Sequence, residues 1–556
     1  MSDRMHPLSS EAILSWMMGE MKMDRSIFGC RQFYHALREE GRRFLGRRPE
    51  NAVGAAAGPH TQLAQNIIAA YVSGARVFEL KTVQVLDGED LHVSKPCILT
   101  EEEGYNCEWS TELTVPEARD EYIKAWVFLH FLAKEYGLGS SDGFLFNMSV
   151  GYDLDGIKSA KIDDFLESLR DASKTEAFQE CKEFLRGHLG EFERFTEADL
   201  EAISPNICNS VTISTMHGCP PEETEKIALY LLEEKHLNLF LKCNPTLVGY
   251  DNAKQVLDDL GYTFIHFKKE SFDNDLTLEQ AKGLLERLRK RAEELDLFFG
   301  VKMTNTFPVL ADHGDLPDEM MYMSGQALLP LSLKAASLVS DAFHGSIPIS
   351  YCGGAEESNI AALLESGLYP VTVCTDLLKP GGYGKFVRMV RQAEKVRPGR
   401  LDGEKLAELS VSLAKKAGQP GTKRAPKKEA PKTVAPCRRA CGICAGLCPN
   451  RANVILKEGE EKIMVHIDRL CNECGCCASF CPEKKAPYLE RLTIFRNKED
   501  LLGSANCGFA YLPEEGQFLV RWNGECFPES DPKAKRLPEE VCQSMNLVKR
   551  DYPWLL

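Results

Sequence analysis

Along most of the chain, short apolar runs alternate with stretches whose apolar residues return every three to four positions, the pattern of strands feeding covering helices. Runs at 51–57, 77–83, 144–150, 211–214, 239–243, 301–306, 347–352 and 371–374 predict strands. Helical periodicity at 62–72, 116–136, 222–234, 252–260, 331–340, 358–365 and 383–392 predicts the helices that follow most of them. Eight such units suit an α/β fold of the closed (β/α)8 TIM-barrel type, with functional side chains expected at the carboxyl ends of the strands. A ninth strand-like run, TFIHFK at 263–268, precedes a helical stretch at 276–295, so one of the nine must be an insertion or an edge element. An open doubly wound sheet is the alternative, but it calls for a glycine fingerprint after its first strand, and Gly54, Gly58 and the alanines between them do not spell one. Two long insertions, 87–115 and 173–205, are large enough to wall one side of a site or to meet a neighbouring subunit.

The alternation stops after residue 413. Residues 414–436 read AKKAGQPGTKRAPKKEAPKTVAP, with seven Lys or Arg against one Glu and four prolines, which predicts an exposed linker extended by proline and by like-charge repulsion. The expected organisation is an N-terminal helical extension (1–50), the barrel (51–413), the linker (414–436), a cysteine-rich domain (437–485) and a C-terminal extension (486–556).

Composition changes this picture in two ways. The 67 basic and 82 acidic residues leave a formal charge of -15, a field that repels polyanions, so nucleic acid is not an expected partner. No apolar run approaches the roughly 18 residues of a membrane span, and the first residues open no signal-like apolar segment, which predicts a cytoplasmic protein without membrane insertion. Of the 21 cysteines, nine fall between Cys437 and Cys481, a crowding foreign to disulfide frameworks and typical of metal or cluster modules.

The sequence CNECGCCASFCP contains the spacing C-x2-C-x2-C-x3-C-P on Cys471, Cys474, Cys477 and Cys481, the pattern of a bacterial ferredoxin. Upstream, CRRACGICAGLCP supplies Cys437, Cys441, Cys444 and Cys448, with x3 where the first x2 is usual. Under the crossed rule for two-cluster ferredoxins, one 4Fe-4S cluster takes Cys437, Cys441, Cys444 and Cys481, and the other Cys471, Cys474, Cys477 and Cys448. This predicts a small α+β ferredoxin-like 2x4Fe-4S domain. Cys476 is surplus, because only Cys477 preserves the three-residue spacer before Cys481. Two clusters conduct single electrons, so a two-electron cofactor is expected elsewhere.

Motifs at the predicted strand ends indicate which cofactor. They are AAAGP at 55–59, with Ala57 and Gly58; ELKTV at 79–83, with Lys81 and Thr82; KCNP from Lys242; TNT at 304–306, with Asn305 and Thr306; Ser324 with Gly325; and Cys352, Gly353, Gly354, followed by VTVCTD with Thr375. In this order they resemble the FMN barrel of dihydropyrimidine and dihydroorotate dehydrogenases over residues 51–392. More specifically they resemble the selenate-reductase-type flavoprotein subunits found with purine-catabolic genes. The resemblance implies an FMN-dehydrogenase-like barrel in which Ala57, Gly58, Lys81 and Thr82 approach the flavin, Lys242 lies at its N1/O2 edge, and Gly353, Gly354 and Thr375 hold its phosphate. Asn305, Thr306, Ser324 and Gly325 are the remaining matches. Chemistry gives these residues the same sense: glycines let backbone amides approach a phosphate, and a lysine stabilises an anionic reduced ring.

Two departures bear on catalysis. The active-site loop reads SVTISTMHGCPP at 210–221, so Cys219 and His217 are equally reasonable proton donors or acceptors. Asp153 follows Tyr152 where the pyrimidine enzyme has Asn, which favours a cationic or donor-rich ring. The tail after 485 is too short for an FAD and NAD(P)H unit, and Cys507, Cys526 and Cys542 are too widely spaced for a cluster motif. The expected partners are therefore an NAD(P)H-dependent FAD flavoprotein resembling the glutamate synthase small subunit, molybdenum hydroxylase subunits, or both. The expected function is an oxidoreductase subunit exchanging electrons between a purine-like or related nitrogen heterocycle at FMN and such a partner. The alternative is an electron-transfer scaffold whose barrel carries no flavin.

Overall fold

The computed structural model describes residues 4–36, 42–101, 103–107, 110–214, 217–311, 316–418, 429–434, 437, 439–530 and 536–556. Its first twelve strands are β1 (Val53–Ala55), β2 (Val77–Glu79), β3 (Ile98–Thr100), β4 (Glu103–Asn106), β5 (Leu145–Val150), β6 (Ser210–Ile213), β7 (Asn238–Cys243), β8 (Phe299–Met303), β9 (Phe307–Leu310), β10 (Met320–Gly325), β11 (Ile349–Tyr351) and β12 (Val371–Val373). Eight of them close a parallel barrel in the order β1-β12-β11-β8-β7-β6-β5-β2, so chain order and spatial order agree around the ring. These eight arise from the eight apolar runs other than 263–268. That run is irregular and touches the sheet region through the Leu310 amide, which donates to the His266 carbonyl at 2.8 Å. It is neither a barrel strand nor an edge strand, and the count closes at eight.

The covering helices start where the sequence supplies caps. Thr114 and Glu117 form a reciprocal capping box ahead of the helix Val115–Glu135, with Pro116 in its first turn, and Thr277 and Gln280 do the same for Leu278–Glu294. The barrel interior is unusually polar. Lys302 of β8, 1 % exposed, ion-pairs with Glu79 of β2 and donates to Ser350 of β11 (3.1 Å) and Thr372 of β12 (2.8 Å).

The insertion at 87–115 supplies β3 and β4. These join β10 and β9 in a four-stranded sheet of order β3-β4-β10-β9, built from segments far apart in sequence. The 173–205 insertion is helical, and its helix Glu176–Gly187 packs on Val115–Glu135. Among the described residues the N-terminal extension holds one α-helix, Ser10–Asp24.

Beyond the barrel, β13 (Asn453–Glu458), β14 (Glu461–Ile467), β15 (Leu492–Phe495), β16 (Gly508–Leu512), β17 (Gln517–Trp522) and β18 (Glu525–Glu529) form one six-stranded sheet in chain order. The hairpin between the two cysteine motifs is thus the beginning of a larger sheet. The expected small ferredoxin-like domain at 437–485, with a separate extension after it, is not distinct: β14 pairs in parallel with β15, and the sheet continues across that boundary. Of the linker, 419–428 and 435–436 lie outside the described residues. Its later part is anchored where the Lys432 carbonyl accepts from the Asn523 amide (2.9 Å) and the Cys507 thiol (2.9 Å). Among the described residues no helix is long and apolar enough to cross a membrane.

Candidate functional site

A cavity of about 320 Å³ opens at the carboxyl mouth of the barrel, within the range of small-molecule sites. Every barrel strand except β5 sends a residue to its lining from its carboxyl end or the segment just beyond it, and the four-stranded sheet roofs it with Ile98, Thr100, Tyr105 and Tyr322. Of the residues singled out from sequence, Ala57, Gly58, Lys81, Thr82, His217, Lys242, Asn305, Thr306, Ser324, Gly353 and Thr375 line it.

Four others do not. Gly325 and Gly354 lie behind the wall: Gly354 has φ +77°, and a Cβ there would stand 2.6 Å from the Gly325 carbonyl oxygen, so both shape the loop without facing the cavity. Asp153 caps the short helix Leu154–Ile157 by accepting from the Gly156 amide at 2.8 Å, next to Tyr152 at φ 121°. The Cys219 thiol lies off the lining, accepts from Thr224 Oγ1 at 3.5 Å and is pushed up by burial, away from thiolate reactivity.

His217 is differently placed. Its Nδ1 lies 2.7 Å from Asp275 Oδ2 and its Nε2 3.1 Å from the Thr306 carbonyl oxygen, with the ring stacked on Tyr322 at 6.2 Å between centroids. Burial alone would raise the Asp275 carboxyl, but His217, the Gly218 amide and Thr246 hold it below its ordinary value. Asn244 and Asn305 continue the network: Asn305 Nδ2 donates to Asn244 Oδ1 (2.7 Å), and Ser214 Oγ donates to Asn305 Oδ1 (3.1 Å).

The wall has features that suit a planar, polar cofactor with a phosphate. Thr100 is 1 % exposed and its hydroxyl lacks a hydrogen-bond partner among the described residues, an orphan that a ligand could satisfy. A Cβ at Gly353 would fall 2.1 Å from Ser332 Oγ, so only glycine lets this segment of the lining approach so closely. Thr375 Oγ1 and Ser324 Oγ converge at 2.9 Å on the same side.

The cysteines assemble in two neighbouring groups. Cys437, Cys441, Cys444 and Cys481 line one small cavity with Met464 and Arg491. The thiols that act on Cys471 are Cys448, Cys477 and Cys474, and Cys477 also feels Cys444 of the first group. Cys476 is 1 % exposed and hydrogen-bonded to Cys474. Among the described residues no three His, Cys, Asp or Glu side chains close tightly enough to hold a single metal ion. The second group adjoins the barrel cavity: the Ile98 amide donates to the Cys474 carbonyl at 2.9 Å, and Ile98 is part of the cavity lining.

Residues 28–423 match the family model described as the oxidoreductase YgfK, N-terminal TIM-barrel domain. The chain belongs to the YgfK family. Two relatives named putative oxidoreductase YgfK, from Escherichia coli strain K12 and from Escherichia coli O157:H7, are each 43% identical over 468 residues, 80% of this chain and 45% of the relative. The chain thus spans less than half the length of these curated relatives. Among solved structures, DHODH from Eimeria tenella in complex with ferulenol covers 70% of this chain and 91% of its own, at 14% identity and a TM-score of 0.41. The YgfK model ends before the first cysteine motif, so the thiol groups lie outside the matched barrel.

Sequence reasoning missed Asp275 and the roof. Asp275 stands between the short helix Glu270–Asp273 and Leu278–Glu294 with no motif around it, and Ile98, Thr100 and Tyr105 lie in an insertion whose pairing with β10 no local pattern announces.

Proposed function

We propose that this chain is an FMN- and iron-sulphur-dependent oxidoreductase subunit of the selenate-reductase type. It exchanges electrons between a purine-like or related nitrogen heterocycle at the barrel mouth and a partner redox subunit. The observation that carries the reading is the wall shared by the cavity and the second thiol group: one backbone hydrogen bond, Ile98 to Cys474, joins the site of two-electron chemistry to a set of thiols spaced for a cluster.

FMN, when bound, supplies hydride chemistry toward the substrate and single-electron exchange toward the clusters. The residues of the chain serve that chemistry as follows. Lys242 supplies positive charge where a reduced ring becomes anionic. Gly353, Ser324 and Thr375 offer a close backbone and two hydroxyls to a phosphate. His217 presents an imidazole for proton transfer. The crossed groups Cys437, Cys441, Cys444, Cys481 and Cys448, Cys471, Cys474, Cys477 would each hold a 4Fe-4S cluster, and Arg491, buried beside the first, offsets negative charge there. An NAD(P)H-dependent FAD flavoprotein or a molybdenum hydroxylase subunit would complete the electron path.

The test is cofactor analysis of anaerobically purified full-length protein. The reading expects about eight iron atoms, about eight acid-labile sulphides and about one FMN per chain. Iron-replete protein that cannot be reconstituted with FMN would replace it with the electron-transfer scaffold, and stoichiometric zinc would remove the clusters.

A further inference from the structure

We infer that Asp275 is the positioning residue of the site. It fixes which ring nitrogen of His217 carries a proton and the orientation of the two asparagine amides on the same side of the barrel mouth. The inference rests on the reading of the cavity as a redox site only in giving His217 a proton to move.

A carboxylate can only accept hydrogen bonds. Asp275, 4 % exposed, collects four: Oδ1 accepts from the Gly218 amide (2.5 Å), and Oδ2 accepts from His217 Nδ1 (2.7 Å), Thr246 Oγ1 (2.7 Å) and Asn244 Nδ2 (3.1 Å). The donors come from the loops after β6 and β7, so one side chain ties two loops of the mouth together. Being an obligate acceptor, it sets the polarity of everything attached to it. His217 must carry its proton on Nδ1. Asn244 must turn its NH2 toward Asp275 and its oxygen toward Asn305, which in turn donates to that oxygen and accepts from Ser214. Three residues that line the cavity, His217, Asn305 and Ser214, are therefore oriented by a residue that does not line it. His217 Nε2 meanwhile lies 3.1 Å from the Thr306 carbonyl oxygen, on the side of the ring away from Asp275.

The experiment is proton NMR of the full-length chain labelled with [15N]histidine, assigned with His217→Gln. A proton held between imidazole and carboxylate resonates far downfield of ordinary amides. The wild type is expected to show one such 15N-coupled line that disappears in His217→Gln, disappears or moves upfield in Asp275→Asn, and persists in Thr246→Val, which removes a different donor to the same carboxylate. Iron and FMN content measured on the same samples separates failure of this inference from failure of the redox reading, because the hydrogen bond is made between two side chains of this chain. If Asp275→Asn does not fold, the wild-type, His217→Gln and Thr246→Val spectra decide alone. No downfield line assigned to His217 in the wild type, an unchanged line in folded Asp275→Asn, or its loss in folded Thr246→Val would overturn the assignment.

Discussion

Removing the Lys302 ammonium isolates the physical logic of the polar barrel interior. Its three partners, Glu79, Ser350 and Thr372, lie on β2, β11 and β12, and neither charged side chain of the pair is more than 8 % exposed. Lys302→Met leaves the Glu79 carboxylate buried and two hydroxyls without their donor. Breaking such a pair from one side costs about 3–5 kcal/mol, because the remaining charge has lost its compensation. Replacing both charges, as in Lys302→Met with Glu79→Leu, removes the orphan and brings the cost within about 1–2 kcal/mol of wild type, since well-packed apolar pairs often match buried ion pairs. The coupling between the two positions is therefore at least about 2 kcal/mol, measured by urea denaturation of the two single variants and the double at matched cofactor content. Single substitutions costing under about 1 kcal/mol, or a double variant whose loss equals the sum of the singles, would refute the argument.

Other outcomes follow from the same geometry. Cys476→Ser should leave iron content intact while Cys477→Ser lowers it, since Cys476 is a packed neighbour of Cys474; the reverse result in iron and sulphide analysis would shift the register. Gly354→Val should lower bound FMN by forcing the loop away from the Gly325 carbonyl, whereas Lys242→Met should retain much of the flavin and make it harder to reduce, read as a lower flavin potential. Burial holds His60 and His130 down to about 3 and His466 down to about 4. With these values below the unfolded value near 6.5, the unfolded chain takes up protons first as pH falls. Stability should then decline from about pH 6 toward about pH 4, by up to roughly 4 kcal/mol per pH unit for the three together. His130→Phe should flatten that slope by about a third in denaturation curves taken across the range.

The eight barrel strands were legible because a strand buried on both faces must be a short apolar run, and most of these runs are followed by a helix. The ninth run misled for the same reason: TFIHFK carries aromatic and β-branched residues but packs as irregular chain, with Phe267 against Phe272 and Phe307. Motif order was enough to bring eleven of the named site residues to one cavity, because strand ends of a barrel converge whatever lies between them. Asp153 and Cys219 show the limit of that logic. Each follows a barrel strand closely, yet one caps a helix and the other turns from the mouth, and only side-chain direction separates them from His217. Asp275 and the roof depend on contacts between distant segments, which spacing within one segment cannot encode. The six-stranded sheet is not legible because no local pattern links the C-terminal extension to the hairpin between the cysteine motifs, yet β14 pairs with β15 and the sheet runs on to β18.

The junction between the barrel and the cysteine-rich region is held by close, specific contacts. Asn450, 2 % exposed, accepts from Asn66 at 2.9 Å; the Tyr383 hydroxyl donates to the Pro449 carbonyl at 2.8 Å; and the Gly382 backbone passes so close to Gly446 that a Cβ there would stand 1.9 Å from its carbonyl oxygen. These contacts flank Cys448, and Ile98 fixes Cys474 from the other side. A carrier domain that swings between donor and acceptor needs a lightly held interface; this one is specific and cut to the shape of glycine. Under the redox function proposed above, the thiol groups would be a soldered terminal rather than a moving arm, and a partner would have to bring its own redox centre to them.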